Sequence, residues 1–464
     1  MIPLLSVVAL LQSVPSTATQ DTTAGRPCRV AVDSMGHYAE STNSAGEKTT
    51  NGGGGVLAHC AGTGTTISAD SFAHYSALGR LDLIGRVQIR DTALALDARF
   101  ASYFLRDERL EAHNNVVAVN RRNGSVLRGP NLKYWRAVKG VRDTVEMYAT
   151  QRPTVEYRQG TPGGGGGDTT HVEPYIIVGD RLHFKGDDRM WAGGTVTIDR
   201  SDLAARADSM QLDQTTGFGV LVGSPSVEGR GQPGVTTGVK SYTLVGTRIE
   251  LGLEQRDIKQ MKALGHGKAT GADWTLTADT IDLRIADHLL QQTFAWGDTT
   301  RPHAISTQYT IQADSLAIDS PGEVLKESRA FGNAFSTAKR DSTTPPNQTD
   351  WITGDSLTIR FVQVPDSVTH RPRSKLHELV SRGSPARALT HHPNERDTTK
   401  AGPAINYSRG HQITVSMLQD RIDHVVVAGK ADGVHLEPRP AIEADSLKRA
   451  APPPPPPPPP PASP

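Results

Sequence analysis

The amino-acid sequence predicts an all-β protein built as an array of stacked strand repeats. A motif of the form Ala/Gly-Asp-Ser/Thr-apolar-x-apolar recurs at intervals of roughly 28 to 41 residues, which indicates a stacked array rather than independent globules. Apolar residues within each copy are two positions apart, the spacing of a strand and not of a helix. Gly and Pro are frequent and hydrophobic residues reach only 36%, which is typical of many short strands joined by turns.

Length and charge limit the classes of function. At 464 residues the chain is too long for one ordinary core, so several domains or a repeat array are expected. Its 50 basic and 49 acidic residues give a formal net charge of +1. Charge therefore gives no reason to expect nucleic acid as a partner.

The N-terminus predicts export. The first eleven residues form an apolar run that is too short to span a bilayer. A small-x-Ala sequence ending at Ala18 follows, so residues 1–18 are interpreted as a signal peptide. Residues 19–55 are polar and Gly-rich, and we interpret them as a flexible leader that ends in the run Gly52–Gly55.

The chain contains two cysteines, Cys28 and Cys60. In an oxidising periplasm they would suffice for one disulfide, which would join the N-terminal region to the first repeat. The alternative is two unrelated thiols, and the sequence leaves both open. A metal site needs more ligands than these two supply, so no metal is expected here.

The repeat motif is most complete in four copies, which begin at Ala207, Ala278, Ala313 and Gly354. Weaker copies begin at Gly179, Gly246 and Gly410, and the front copies begin at Ala69, Leu96 and Gly129. In the complete copies the apolar residues share one parity, so in a strand they point to one face: Met210 and Leu212, Ile281 and Leu283, Leu316 and Ile318, Leu357 and Ile359.

Most copies are followed by a second element of the form apolar-x-Gly-x-apolar, as in Leu83–Val87 and Ala330–Ala334. The Ala/Gly-Asp pair predicts a corner, because the small residue permits a tight bend and the carboxylate can accept backbone N–H bonds. The glycine of the second element would ease a corner or bulge between strands. Stacked copies would line up their apolar faces into one trough. The periodicity alone does not distinguish a sealed core from an open channel.

The copies divide the rest of the chain into two blocks of β repeats, residues 56–160 and residues 173–437. The stretch 161–172 between them is rich in glycine and is predicted to be a linker or loop. Residues 438–464 are predicted to form a Pro-rich tail, whose run Pro452–Pro461 favours an extended polyproline II rod.

With these motifs the chain resembles the OstA-like (organic solvent tolerance-like) domain family, to which the lipopolysaccharide-transport proteins LptA and LptD belong. The best-matching stretches are Ile67–Asn120, Thr275–Ala334 and Asp350–Ala386. The resemblance implies an open β-jelly-roll with an internal hydrophobic groove, which shields the acyl chains of lipopolysaccharide or a related glycolipid. It also implies a periplasmic, outer-membrane-associated location, and partner transport proteins that join through open strand edges.

Carried over to this chain, the resemblance places one set of apolar side chains in the lipid groove. They are the closing residues of the copies and, in five of the copies, the apolar residue two positions earlier: Tyr75, Tyr103, Tyr134, Leu182, Phe184, Met210, Leu212, Ile281, Leu283, Leu316, Ile318, Leu357 and Ile359.

Catalytic signatures are weak throughout the sequence, so no enzymatic activity and no cofactor are expected. The stretch Ala263–Thr270 resembles a phosphate loop only superficially, because Ala269 replaces the Ser/Thr after Lys268, and a repeat corner is the favoured interpretation. His391-His392 is interpreted as part of a surface loop rather than a metal site.

Three functions are therefore weighed. The first is a non-enzymatic lipid carrier in lipopolysaccharide transport or outer-membrane assembly. The second is a structural β-solenoid that serves as a scaffold or adhesin of the cell envelope, with a closed core. The third, a carbohydrate-active β-helix enzyme, would need clustered charges on one outer sheet and ranks last.

Overall fold

The computed structural model describes residues 28–158, 173–230, 242–254, 257–271, 274–338, 349–365, 372–392, 400–401, 403–418 and 421–440. The predicted signal peptide, the Gly-rich linker 161–172 and the run Pro452–Pro461 lie outside these residues. Strands make up 75% of the structure, which confirms the all-β prediction. No helix among the described residues is long and apolar enough to cross a membrane.

The described residues form 32 strands and one 3₁₀ turn at Pro321–Glu323. The strands are β1 Arg29–Ser34, β2 His37–Thr42, β3 Lys48–Ala61, β4 Thr65–Tyr75, β5 Arg80–Arg90, β6 Leu94–Phe104, β7 Arg109–Asn120, β8 Val126–Trp135, β9 Glu146–Thr150, β10 Thr154–Tyr157, β11 Tyr175–Val178, β12 Arg181–Lys185, β13 Arg189–Arg200, β14 Leu203–Asp213, β15 Phe218–Val222, β16 Ser226–Gly229, β17 Tyr242–Val245, β18 Arg248–Glu254, β19 Asp257–Thr270, β20 Trp274–Ala286, β21 Leu289–Trp296, β22 His303–Ser306, β23 Tyr309–Gln312, β24 Ser315–Asp319, β25 Glu327–Ala338, β26 Trp351–Pro365, β27 Pro372–His392, β28 Lys400–Ala401, β29 Ala404–Leu418, β30 Arg421–Ala428, β31 Asp432–Leu436 and β32 Arg439–Pro440.

The chain divides into two compact units. Unit 1 comprises residues 1–170 and 180–187, so it holds β1–β10 and β12. Unit 2 comprises residues 171–179 and 188–464, so it holds β11 and β13–β32. In both units successive strands pair antiparallel, as expected for an array whose repeats contact their neighbours in sequence.

Most long strands bend once near the middle. Strands β5 and β6 pair from Arg80 to Ile84 and again from Val87 to Arg90, with a register shift between. The two ends of each strand therefore belong to different half-sheets. We call the half-sheet that holds the β5 residues Arg80–Ile84 and their equivalents the first half-sheet, and the other the second. Where no long strand is present, two short strands flank the bend, as β15 and β16 do beside β14.

The recurring motif lies at the bend, and its two elements fit together there. Asp70 of β4 lies beside Gly85 of β5, whose φ is 73°. A Cβ on Gly85 would collide with the Asp70 carboxylate, so the second element needs glycine both for its backbone conformation and for space. Arg86 Nε donates to Asp70 Oδ1 at 2.8 Å. We call this fit of the aspartate of one strand against the glycine of the next the corner interlock.

The donors to the corner aspartates differ from copy to copy. Asp279 accepts the backbone N–H groups of Thr299 at 2.8 Å and Thr300 at 3.0 Å, the type of bond expected from the sequence. Asp314 accepts from the side chain of Asn333 at 3.1 Å, and Arg301 Nε lies 3.0 Å from its Oδ1. The small residue that precedes each aspartate is buried on the inside of the bend, as Ala278 is, where the two half-sheets converge.

The N-terminal region differs from the flexible leader predicted for residues 19–55. Within it β1 and β2 each pair with one part of β3, and the run Gly52–Gly55 contains the bend of β3. Glycine composition, which also marks linkers, here marks a corner between half-sheets. Within the described residues the array therefore already includes Arg29–Ala61 and does not start at residue 56.

Candidate functional site

The inward side chains of unit 2 line up in two rows in the first half-sheet. One row passes through facing residues of successive strands and includes Leu212, Leu283, Ile318 and Ile359. The other row includes Met210, Ile281, Leu316 and Leu357. The structure thus brings together the positions that the motif marks as equivalent, because each copy occupies the same place along its strand.

In unit 1 most of the predicted groove residues also point inward. Tyr103, Tyr134 and Phe184 share one row, since Tyr134 faces Leu110 of β7 and also Met147 of β9. Leu182 lies in the neighbouring inward row and is fully buried.

Tyr75 does not lie in the inward row. It faces Arg80, in the row of outward side chains that continues to Phe104, and the Arg80 guanidinium lies 4.6 Å from the centre of its ring. Phe72 of the same strand takes an inward position. In this copy the closing aromatic lies three places beyond Phe72 instead of two, so by the ordinary alternation of a strand Tyr75 points outward.

The space between the half-sheets is packed in this structure. Eleven of the thirteen predicted groove residues are buried, and Tyr75 and Ile318 are half-buried. Ile281 and Leu283 have 0% exposure. Interior packing of this kind leaves no channel at these positions, so an acyl chain could enter only if the half-sheets move apart.

At the side away from the bends, the hairpins of the two half-sheets contact each other through side chains. We call this side the mouth. In unit 1 the backbone N–H of Cys28, just before β1, donates to Glu108 Oε1 at 2.8 Å. Glu108 lies in the β6–β7 hairpin, is buried, and also accepts from the Tyr103 hydroxyl and, at 3.4 Å, from Arg136 Nη1. A disulfide joins Cys28 to Cys60 of β3, so this contact is held covalently on one side.

A second mouth contact in unit 1 joins the β7–β8 hairpin to the β12–β13 hairpin. Asn120 Nδ2 donates to Asp187 Oδ1 at 2.7 Å, and Arg122 Nη1 lies 3.5 Å from Asp187 Oδ2. Beneath it is a cavity of about 30 Å³, room for roughly one water molecule. Its apolar lining is Leu94, Ala118, Leu127, Met147, Val155, Tyr157 and Phe184.

In unit 2 the mouth contact joins the β13–β14 hairpin to the β20–β21 hairpin. His288 Nδ1 lies 3.1 Å from Asp202 Oδ2, although the two residues are 86 positions apart in the sequence. Arg200 Nε donates to Asp202 Oδ1 at 2.5 Å, and its guanidinium lies 4.1 Å from the centre of the Tyr175 ring. Farther along the array, the Tyr309 and Phe361 rings meet at 5.8 Å.

Tyrosines concentrate at the mouth. Each of six buried tyrosines is the first or last residue of its strand or lies next to it: Tyr103, Tyr134, Tyr157, Tyr175, Tyr242 and Tyr309. Burial raises the pKa of Tyr175 to about 12. It also raises the pKa of Tyr134, Tyr242 and Tyr309 above the ordinary value. These hydroxyls are neutral at physiological pH and place a polar atom at the edge of an apolar interior.

The described residues show no cluster of three or more His, Cys, Asp or Glu side chains that could hold a metal ion. The stretch Ala263–Thr270 lies in β19 and contains its bend, at Gly265-His266, which agrees with the corner interpretation. His391 lies in β27 and not in a surface loop. Its Nδ1 contacts Asp350 Oδ1 at 2.9 Å, so it links the end of β27 to the residue just before β26.

Sequence reasoning missed four of the mouth tyrosines and all of the contacts across the mouth. Tyr175, Tyr242 and Tyr309 each begin a strand on the mouth side, and an aromatic residue at this recurring place is the signal that could have identified them. Searches against models of known protein families and against curated proteins found no match for the chain.

Proposed function

We propose that the protein is a non-enzymatic lipid-binding protein of the periplasm that takes part in lipopolysaccharide transport or outer-membrane assembly. Acyl chains would lie between the two half-sheets, and the sugar headgroup would remain outside the mouth. This is the function that the resemblance to OstA-like domains implies.

One observation carries the proposal. The inward side chains form apolar rows along each unit, while the mouth of each unit is closed by side-chain contacts in the part of the chain that the structure describes. Backbone pairing holds each half-sheet together and bends join them on one side. Separation at the mouth would therefore leave the strand ladders intact and expose a slot lined by apolar residues.

The energies are compatible with uptake of a lipid. Each buried methylene contributes about 0.8 kcal/mol, so ten methylenes contribute roughly 8 kcal/mol. A partly exposed ion pair such as His288–Asp202 contributes about 0–1 kcal/mol. Acyl chains would replace the contacts between facing apolar rows, so opening at the mouth would cost far less with lipid present than without it.

Partner transport proteins would join through exposed strand edges. Strand β2, His37–Thr42, is exposed along its whole length and pairs with β3. An edge strand of this kind can accept a further strand from another chain.

The complete burial of Ile281 and Leu283 favours a second candidate, a structural β-solenoid scaffold or adhesin of the cell envelope. In that case the interior is a permanent core and the function resides on the outer face. The two candidates differ in whether the half-sheets ever separate.

Lipid binding by the purified protein distinguishes them. The protein is stripped of lipid in detergent, returned to buffer, and titrated with lipopolysaccharide and with its deacylated saccharide. The carrier binds the acylated form at micromolar or lower concentration and ignores the saccharide. A folded protein that carries no co-purifying lipid and retains none in this titration would exclude the carrier function and leave the scaffold.

A further inference from the structure

The outer face of the second half-sheet in unit 2 carries three aromatic rings in contact. Trp351 of β26 points outward, because its neighbour Ile352 is buried on the inward face. Tyr407 of β29 lies in the same outward row, with Leu389 between the two. Phe335 of β25 lies beside Trp351 and has a buried neighbour on each side, so it also points outward. The centre of the Trp351 ring is 6.4 Å from that of each of the other two rings, and we call the three rings the aromatic platform.

The aromatic platform is open to solvent. Phe335 is 40% exposed, and Trp351 and Tyr407 are half-buried. The strands of Trp351 and Tyr407 are two strand spacings apart, about 9.6 Å, so ring centres only 6.4 Å apart show that the two side chains lean toward each other. Threonine hydroxyls border the rings, since Thr337 faces Trp351 and its Oγ1 lies 2.7 Å from that of Thr310. The surface therefore combines aromatic area with hydroxyl groups.

Two arginines, which we call the arginine pair, face each other beside the platform. Arg387 of β27 faces Arg409 of β29, in the outward row next to that of Tyr407. Side chains of like charge at facing positions destabilise a sheet. Arg409 is half exposed and its contact with Asp432 Oδ2 is long, at 4.0 Å, while Arg387 is exposed and has no hydrogen bond or ion pair within the described residues. A bound anion would remove this repulsion, because a carboxylate or phosphate accepts hydrogen bonds from both guanidinium groups.

We propose that the aromatic platform and the arginine pair form a binding site for a saccharide that carries a carboxylate or phosphate group. The C–H face of a sugar ring packs against the rings of Trp351 and Tyr407, while its hydroxyl groups remain in contact with water and with the threonine border. The acidic group is held by Arg387 and Arg409, whose planar guanidinium groups match the geometry of both anions. The site lies on the outer face of the array, so it does not depend on lipid binding in the interior.

The charges favour an acidic saccharide over two other ligands. A single-stranded nucleic acid needs a positively charged groove that follows its backbone, whereas this chain has a net charge of +1 and Asp432 follows the arginine pair in the same row. An apolar protein surface would cover both guanidinium groups without supplying an anion, and the burial of unpaired charges is costly. A saccharide with one acidic group satisfies the arginine pair and leaves the rest of the site in contact with water.

Calorimetric titration of the full-length protein tests the site. The probes are oligogalacturonate, which has a carboxylate on each sugar, the neutral carboxyl-reduced form of the same oligosaccharide, and a phosphorylated oligomannose. Binding of the acidic probes is expected in the high-micromolar to millimolar range and to weaken with added salt, since the arginines are exposed. The neutral probe is expected to bind about tenfold more weakly. Comparison of the two acidic probes identifies the anion that the arginine pair prefers.

Three variants distinguish this site from a general effect of charge. Trp351→Ala is expected to weaken the binding of acidic and neutral probes about tenfold, whereas Arg387→Gln weakens the acidic probes alone. The matched control is Arg206→Gln, which is expected to leave all three affinities unchanged. Arg206 is likewise exposed on the outer face, but it lies seven strand spacings from Phe335 in the same row, about 34 Å along the sheet. Because Arg387 is exposed, Arg387→Gln retains the fold and tests the site even if Trp351→Ala does not fold.

Three results would overturn the proposal. They are the absence of binding of either acidic probe at millimolar concentration by the folded wild type, an equal loss of affinity in Arg387→Gln and Arg206→Gln, and tighter binding of a single-stranded oligonucleotide than of the acidic probes. None of these results bears on the lipid titration, which reports micromolar binding to the interior.

Discussion

The corner interlock makes a sharp prediction at Gly332 in the bend of β25. Its φ is 76°, and a Cβ there would collide with the carboxylate of Asp314. We expect Gly332→Ala to destabilise unit 2 for two separable reasons. A residue with a Cβ in the left-handed region costs about 1–2 kcal/mol. Displacement of the Asp314 carboxylate, which contacts Asn333 at 3.1 Å and Arg301 at 3.0 Å, costs about another 1 kcal/mol because these contacts are largely exposed.

The matched control is Gly322→Ala. Gly322 has a φ of 62°, but a Cβ there would meet no atom within 4 Å, so only the conformational cost applies. The opening free energies of β24 and β25 amides, measured by native-state hydrogen exchange, should fall by about 2–3 kcal/mol for Gly332→Ala and by about 1–2 kcal/mol for Gly322→Ala. In an Asp314→Gly background, which removes both the carboxylate and the Cβ that a side chain at position 332 would meet, the two substitutions should cost the same. An unchanged difference in that background would refute the interlock.

Three further predictions concern the mouth and the N-terminus. Reduction of the Cys28–Cys60 disulfide, whose cysteines are 32 residues apart, should cost about 3–4 kcal/mol and accelerate hydrogen exchange in β1; unchanged exchange would contradict a stabilising role. The pKa of Tyr175, about 12, lies above the ordinary value near 10. Its neutral form therefore stabilises the fold fully below pH 10, and this contribution is lost as the pH rises through 12. Circular dichroism should accordingly show a smaller loss of stability between pH 10 and 12 in Tyr175→Phe than in the wild type. His288→Ala removes a contact across the mouth and should increase the rate of lipid uptake severalfold in stopped-flow fluorescence. His424→Ala, whose partner is its neighbour in sequence, should leave that rate unchanged.

The strand architecture could be predicted because it is local. Within a copy, the two-residue spacing of the apolar side chains places Leu283 and Leu357 on the inward face of the strand. The contact between aspartate and glycine at each corner follows from the two short motifs. The prediction was wrong at Tyr75, because the closing aromatic of this copy lies three residues beyond the inward Phe72 rather than two, and that spacing places it on the opposite face of the strand. The Gly52–Gly55 run misled for a different reason, since glycine is required both in linkers and at corners.

The mouth could not be predicted from the sequence. Asp202 and His288 are 86 residues apart, and each lies in an ordinary hairpin whose local sequence carries no signal of its partner. The same holds for Cys28 and Glu108, which are 80 residues apart. Such contacts depend on how many copies of the repeat lie between two hairpins and on the twist that accumulates over them, which are properties of the assembled array.

The most direct test of the proposed lipid-binding interior is site-specific photo-crosslinking at Leu316, with Ala317 as its control. Leu316 is buried in an inward row, whereas Ala317 is its half-buried neighbour on the opposite face of the strand. With lipopolysaccharide present, the account predicts crosslinks to the lipid from a probe at Leu316 and none from a probe at Ala317. Absence of crosslinks at both positions in a folded protein would contradict it and identify the interior as a permanent core.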